Sequence, residues 1–373
     1  MIPCFGEATT KSDKVNPVRK LKGKVFVTGA TGHVGANVVR RLLADGKEVR
    51  VLLEPGKKAD ALDGLDVERV SAELTDIGAL ETAMKGCAQA FHVAAIIATG
   101  VPNPAQERRI YDVNVTGTQN LLRVAQHIAM DRVVVTGSFS ANGWNREDPH
   151  APANETFAHY PFDEVLPYSR TKVQVEHECL KAAVEGLDVV IATSCAVLGP
   201  HDYEPSRMGR TLLDFAHGKL RAYVPGGFEF IPAKDIAAGH MLAMQRGRSG
   251  QKYIFSSRFV SIDEMMDIWE KVTGRPRPKL RLSPTVMAGV AQVTSFFMDR
   301  FAPNKPQRFT PAAVRILRSQ RRADTTKART ELGFLPTPIE DAIQAAYEDF
   351  VRRGLAPSGP ARQTTAAALE ATA

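Results

Sequence analysis

"VFVTGATGHVGANVV", residues 25–39, opens as an apolar run of strand type and closes as a helix. Val34, Val38 and Leu42, with Val39 and Leu43, repeat at helical spacing. Gly29, Gly32 and Gly35 stand between the two patterns, in the strand-to-helix turn of a βαβ unit. Gly29 permits the tight turn, Gly32 lets backbone amides approach a pyrophosphate, and Gly35 lets the helix pack close to the strand. The helix N-terminus then offers unpaired N–H groups to phosphates. Thr31, His33 and Val34 fall on the same turn and complete a candidate dinucleotide site.

The next strand, "EVRVLLE", ends in Glu54, 19 positions after Gly35. A carboxylate there can accept hydrogen bonds from ribose hydroxyls and would repel a 2′-phosphate, which favours NAD(H). Lys57 and Lys58 follow after Pro55 and Gly56 and leave NADP(H) open, although turn lysines are commonly just solvated. Further strand-like runs start at Val67, Gln89, Asp131 and Leu187, with helical segments between them. Near-continuous apolar strands of this kind belong to a parallel sheet covered on both faces. The expected fold is α/β: a Rossmann-type, doubly wound parallel sheet with a smaller, mostly helical C-terminal substrate lobe. The expected division is a disordered extension over 1–22, a dinucleotide domain over 23–200 to which parts of 230–260 return, a substrate lobe over 201–352 and a disordered tail over 353–373. Ligands should bind at the carboxyl ends of the strands.

Two stretches carry chemistry. The strand "VVVTGSFSANG" ends in Thr136, Gly137 and Ser138, and "YSRTK" places Tyr168 and Lys172 four apart on one helix face. A free tyrosine, with a pKa near ~10, is a poor acid–base group at neutral pH. An ammonium beside it, with the positive ring of an oxidised cofactor, favours the phenolate. Ser138 can hold a substrate oxygen. By itself Tyr-x-x-x-Lys is a common surface pair; its value comes from its position after the glycine turn and the serine strand.

Taken together, "TGATGHVG", "AELTD" from Ala72, "FHVAA" from Phe91, "DVNVTGTQNLL" from Asp112, the Ser138 strand, "YSRTK", "VLGP" from Val197, "AKDIAAGHMLA" from Ala233 and "DTTKARTELGFLPTPIEDAI" from Asp324 resemble the extended short-chain dehydrogenase/reductases, the NAD-dependent epimerase/dehydratase superfamily. The resemblance covers about residues 22–352 and leans to the dihydroflavonol reductase and 3β-hydroxysteroid dehydrogenase side. It implies that Tyr168 is the acid–base residue, Lys172 its activator and ribose ligand, and Ser138 the carbonyl-orienting hydroxyl. It further implies Glu73 and Leu74 beside adenine, Ala94 and Ala95 along the cofactor, Asn114 and Thr136 near the active-site strands, and Cys195 and Val197 flanking nicotinamide. It also implies a homodimer by family habit. Three departures stand out. Thr136-Gly137-Ser138 replaces Thr-Ser-Ser, so Ser140 competes as the donor. Glu73 replaces Asp. Thr193-Ser194 replaces the usual Arg/Asn-Pro.

The substrate segments hold Phe139, Trp144, His159, Tyr160, Phe162, Tyr203, Phe228 and Phe230, which suit an apolar aromatic, polyketide, terpenoid or steroid-like carbonyl, as in secondary metabolism, better than a sugar diphosphate. Arg207 and Arg210 are either anion contacts or solvated; His159 is either a second acid or a plain loop residue. Nine Lys or Arg lie between Arg300 and Arg329 against Asp324 alone, read as a solvated helix face before an acidic-partner or membrane surface.

Composition bounds the rest. A chain of 373 residues, 44% hydrophobic and +7 in formal charge, accommodates a large α/β unit and a lobe, with no nucleic-acid module. Cys4, Cys87, Cys179 and Cys195 have no paired or metal-ligating spacing, so reduced thiols, no metal and a cytoplasmic location are expected. No secretory segment and no transmembrane segment is read; the apolar run from Thr285 to Phe301 reads as a pocket-covering helix or a lid in peripheral membrane contact. The leading function is NAD(H)-dependent hydride transfer to or from a carbonyl or carbinol of an apolar small molecule. A nucleotide-sugar epimerase or dehydratase with tightly bound NAD is the alternative. A non-catalytic dinucleotide sensor comes third, opposed by the intact Ser138, Tyr168 and Lys172.

Overall fold

The computed structural model describes residues 15–19, 23–97, 102–145, 147–148, 151–159, 167–283, 317 and 319–358. The dinucleotide unit begins with β1 (Lys24–Thr28), α1 (His33–Ala44), β2 (Val49–Leu53), β3 (Glu68–Ser71), α2 (Ile77–Met84) and β4 (Cys87–His92). It continues through α3 (Pro104–Tyr111), α4 (Gly117–His127), β5 (Arg132–Ser138), α5 (Pro167–Val184) and β6 (Val189–Ser194). After these come β7 (Ala196–Leu198), α6 (Arg207–Ala216), β8 (Ala222–Tyr223), β9 (Gly227–Pro232), α7 (Ala233–Arg246), β10 (Lys252–Phe255), β11 (Arg258–Ser261), α8 (Ile262–Thr273), β12 (Leu280–Arg281) and α9 (Ile339–Arg352).

Seven strands form one sheet in the order β10-β6-β5-β4-β1-β2-β3, every pair parallel. Alternation along each strand splits the core between the two faces. Val25, Val27, Val134 and Val190 pack with Val38, Val39 and Leu42 of α1 and Ile236, Met241 and Met244 of α7. Phe26, Val133, Val135 and Ile191 face the other way, onto Leu80 of α2, Leu121 and Leu122 of α4, and Val175 and Cys179 of α5. The order reverses between β1 and β4, and that reversal opens the crevice in which a doubly wound sheet binds its ligand.

The lobe packs α6, α8 and α9 around Phe215, Met265, Trp269, Ile343 and Phe350. It is mostly helical, as expected, but short strands accompany the helices. A three-stranded sheet, β11-β9-β7, and a β12-β8 pair run through it. Strands of two to six residues are too short to leave a legible period. Part of the stretch expected to be disordered is also tied down: Asn16 N–H donates to Glu331 O (2.9 Å) and Arg19 N–H to Gln245 O (2.8 Å). Backbone pairing to a neighbouring element gives no composition signal. The helix expected near Thr285–Phe301 lies outside the described residues, as do Cys4, Tyr160, Phe162 and most of both expected tails. No described helix is long and apolar enough to cross a membrane.

Candidate active site

The glycine turn is built as its spacing requires. Gly29 sits at φ +69°, and Gly32 caps α1 with extended backbone and no side-chain hydrogen bond. A Cβ on Gly29 would meet Ala94 N at 2.6 Å, and one on Gly35 would meet Gly29 O at 2.0 Å. Gly29 and Gly35 thus have no room for a side chain against the neighbouring backbone, and Gly32 leaves the turn bare, at a helix start whose amides no side chain occupies. Those are the features a pyrophosphate needs. α1 is held in place from the lobe side: Asn37 Nδ2 donates to Pro200 O (3.0 Å), and His33 Nε2 lies 3.1 Å from Gly199 O.

A cavity of about 1310 Å³ opens at this turn. Typical single-ligand pockets hold roughly 300–1,000 Å³, so there is room for a dinucleotide and a second molecule. Of the residues expected in the site, Gly29, Thr31, Gly32, His33, Val34, Gly35, Glu54, Glu73, Leu74, Ala94, Ala95, Thr136, Ser138, Lys172, Cys195 and Val197 all line it. Leu74 is fixed by Asn120 Nδ2, which donates to its carbonyl (3.1 Å). Glu54 carries a partner the sequence did not disclose: Arg109 Nη2 of α3, 2.7 Å away. Tyr168 is not among the lining residues, and neither is Asn114. Asn114 sits behind the wall in a π-helical turn (Asp112–Thr116), where Oδ1 accepts from Ile96 N–H (2.8 Å) and Nδ2 donates to Ile96 O (3.0 Å) and Thr171 Oγ1 (3.1 Å). It clamps the segment after β4 to α5.

At the far end of the cofactor path, α5 brings Tyr168 and Lys172 to the tip of β5. Ser138 stands close enough to the Tyr168 phenol to favour its ionised form, and its Oγ lies 2.8 Å from Ser140 Oγ. Lys172 is 5% exposed and its Nζ donates to Thr136 O (2.8 Å). Burial pushes the Tyr168 phenol up to about 12, against the pull of Ser138, and pushes the Lys172 ammonium down to about 8, against the nearby Cys179 and Glu176. This differs from the expectation that lysine makes the tyrosine acidic. The ammonium is spent on the β5 carbonyl, so desolvation governs the phenol and keeps it protonated, ready to donate. Cys195 is raised well above its ordinary range, chiefly by burial and then by Glu229, and is an inert wall rather than a nucleophile.

Two buried histidines brace this floor, and both were hidden within apolar runs. His240 Nδ1 donates to Ile236 O (2.8 Å), so Nε2 accepts from Thr136 Oγ1 (2.8 Å). Thr118 Oγ1 donates to Asn114 O (2.6 Å) and accepts from His92 Nε2 (2.9 Å); His92 Nδ1 accepts from Thr28 Oγ1 (2.8 Å), which accepts from Ala94 N–H (3.2 Å). Burial first, and the Lys172 charge beside it, hold His92 down to about 3; burial likewise holds His240 down to about 4. Both must be neutral when folded, whereas an unfolded histidine titrates near ~6.5. Their contribution is present above that pH and is lost as pH falls through the folded values, because the unfolded chain binds the extra protons. Stability is therefore expected to drop by up to about 1.4 kcal/mol per pH unit for each histidine below pH ~6. Denaturant midpoints from pH 7.5 to 5 should show this slope, and His240→Gln should flatten it; a wild-type slope no steeper than the variant's would contradict the assignment.

The expected aromatic pocket is differently composed. Phe228 lines the cavity, whereas Phe230 is core. Tyr203 is taken up by Arg40 and Arg353 on its ring. Phe139 and Trp144 hold the Arg321 guanidinium, 5.0 and 5.1 Å from their centroids. His159 lies edge-on to Trp144 and is lowered by burial. Instead Tyr223, Met266, Trp269 and Leu220 extend the cavity into the lobe, with Arg207 and Arg210 on the α6 wall. The described part of the basic C-terminal stretch is not simply solvated: Arg321 is lowered to about 10 by burial, and Lys327 sits 4.8 Å from the Tyr253 centroid. Cys87, Cys179 and Cys195 are free and buried, and no cluster able to hold a metal ion occurs among the described residues.

Residues 25–255 match the family model "NAD dependent epimerase/dehydratase family". The chain is 40% identical to "Sterol demethylase protein B" of Methylococcus capsulatus, over 88% of this chain and 99% of that one. It is 33% identical to "Putative dihydroflavonol 4-reductase" of a Synechocystis species, over 88% of this chain and 95% of the relative. Among solved structures, that of gox2253 superposes with a TM-score of 0.78 at 29% identity, covering 90% of this chain and all (100%) of the other.

Proposed function

Because the chain belongs to the NAD-dependent epimerase/dehydratase family, we propose that its NAD-dependent dehydrogenase/reductase activity moves hydride to or from a carbonyl or carbinol carbon of an apolar molecule, with Ser138, Tyr168 and Lys172 as the catalytic group. One observation carries this reading: the cavity that begins at the glycine cradle runs past the Ser138 and Lys172 side chains, and Ser138 stands close enough to the Tyr168 phenol to pull on its ionisation. When bound, NAD(H) supplies or accepts the hydride. Gly29, Gly32 and Gly35 would cradle its pyrophosphate, Glu54 its adenosine ribose, and Cys195 and Val197 its nicotinamide end.

The remaining work falls to the protein. Ser138 Oγ holds the substrate oxygen, and Tyr168, a neutral phenol, donates its proton to that oxygen as negative charge develops there. Lys172 fixes the β5 tip through Thr136 O and places positive charge beside the reacting oxygen. In the reverse direction Tyr168 takes the proton back, after deprotonation that its elevated pKa makes harder. The apolar extension past Tyr223, Met266 and Trp269 excludes water and supports a ring-bearing or steroid-like substrate, in keeping with the sterol and flavonol words in its relatives' names. We take 23–200, with the returning β10, as the cofactor unit and 201–352 as the substrate lobe.

Arg207 and Arg210 on the cavity wall are the observation that favours the second reading, a nucleotide-sugar epimerase or dehydratase. An NADH-consumption assay across apolar aromatic and steroid-like ketones, beside UDP- and GDP-sugars, separates the two. Stoichiometric NADH loss with an apolar ketone is expected. Conversion of a nucleotide sugar without net NADH change would overturn the proposal.

A further inference from the structure

The Glu54–Arg109 pair lies where cofactor choice is made. Glu54 follows β2 on the cavity wall, at the position proposed above for the adenosine ribose diol; Arg109 reaches it from α3, across the sheet's reversal point. The side chains are 41% and 67% exposed. An exposed pair of this kind contributes little to the fold, so stability does not account for its position. Lys57 stands on the same wall, its Nζ 3.9 Å from Glu204.

A carboxylate alone at this position takes the diol and repels a phosphate. A guanidinium 2.7 Å from it changes both terms. Arg109 neutralises the repulsion in the approach to the cleft. Its long, exposed side chain is also free to leave Glu54 for a ribose 2′-phosphate, whose oxygens match the planar fork. The two residues thus present alternative faces: Glu54 to a 2′-hydroxyl, Arg109 to a 2′-phosphate, each relieved of the other when the matching nucleotide arrives. We propose that Arg109 is a second determinant of cofactor choice, a 2′-phosphate ligand that lets this cleft accept NADP(H) as well as NAD(H). The inference rests on the cleft being a dinucleotide site.

The test is a fluorescence titration of NADH and NADPH separately into wild-type, Arg109→Ala and Glu54→Gln proteins, at low and high salt. Wild type should bind both. A charge-assisted hydrogen bond is worth about 1.5–3 kcal/mol, so Arg109→Ala should shift the NADPH-to-NADH ratio of Kd values toward NADH by about ten- to a hundredfold. Glu54→Gln should shift the ratio the other way, and wild-type NADPH binding should weaken with salt more steeply than NADH binding. A ratio left unchanged by Arg109→Ala, or a wild type that binds NADH but no NADPH, would overturn the proposal while leaving the dinucleotide site standing. Failure to bind either nucleotide would overturn both.

Discussion

Tyr168→Phe is expected to reduce kcat by about 10²–10⁴ while leaving NADH binding intact, the range a single positioned acid–base group supplies. The substitution removes one oxygen and keeps the ring. What the fold loses is one polar contact with Ser138, so the variant should stay folded and its thermal transition should confirm that. The chemical loss is larger because neither neighbouring hydroxyl nor the lysine is placed to replace the phenol. Ser138 and Ser140 are tied to each other, and Lys172 is committed to the Thr136 carbonyl. The pH profile adds an independent check. With the phenol held up to about 12 it remains protonated at all working pH, whereas the Lys172 ammonium, held down to about 8, is lost above that value. Carbonyl reduction should therefore run level below pH ~8 and decline above it, as the positive charge beside the developing oxyanion disappears. Full turnover in the phenylalanine variant, with stoichiometric NADH bound, would remove Tyr168 from the chemistry.

What the sequence disclosed and what it withheld divide along a physical line. The glycine turn, the parallel strands and the Ser138–Tyr168–Lys172 spacing are local: backbone freedom, alternation and helical period are written in neighbouring residues. Arg109 is different. It meets Glu54 across 55 positions, and a charged residue on an exposed helix looks the same whether or not it faces a ligand cleft. His92 and His240 sit inside runs that read as plain core, because a neutral histidine satisfied by threonines behaves as a buried residue. Asn114 was legible as important but not as a clamp behind the wall, since a π-helical turn has no composition of its own. The aromatic residues failed for a related reason. Arg321, Arg40 and Arg353 claim rings that composition alone assigns to a substrate, while Tyr223 reaches the cavity from the two-residue β8 and Trp269 from α8, outside the segments read as substrate-binding.

The second large effect is expected at Gly35, and it tests the cradle rather than the chemistry. An added Cβ would stand 2.0 Å from Gly29 O, 2.7 Å from Gly29 C and 2.9 Å from Ala30 Cα. All three are backbone atoms, so no rotamer relieves the contact; α1 must move off β1. Alanine gains at most ~1 kcal/mol of helix propensity over glycine, whereas overpacking a close-packed contact costs about 1–3 kcal/mol or more. The clash wins, and Gly35→Ala should lower the melting temperature by about one to a few degrees, at roughly 1–2 °C per kcal/mol in a chain of 373 residues. It should also weaken NADH by about tenfold or more, because moving the helix start turns its amides away from the phosphates. Gly32→Ala provides the contrast. Its Cβ would meet only Gly29 O, at 3.4 Å, and its backbone is extended, so the fold should hold while the new methyl intrudes on the dinucleotide path. One variant therefore should lose stability and binding together, the other binding alone. Equal melting temperatures and equal NADH affinities in wild type and Gly35→Ala would mean that close approach of α1 to β1 is not what shapes the phosphate site.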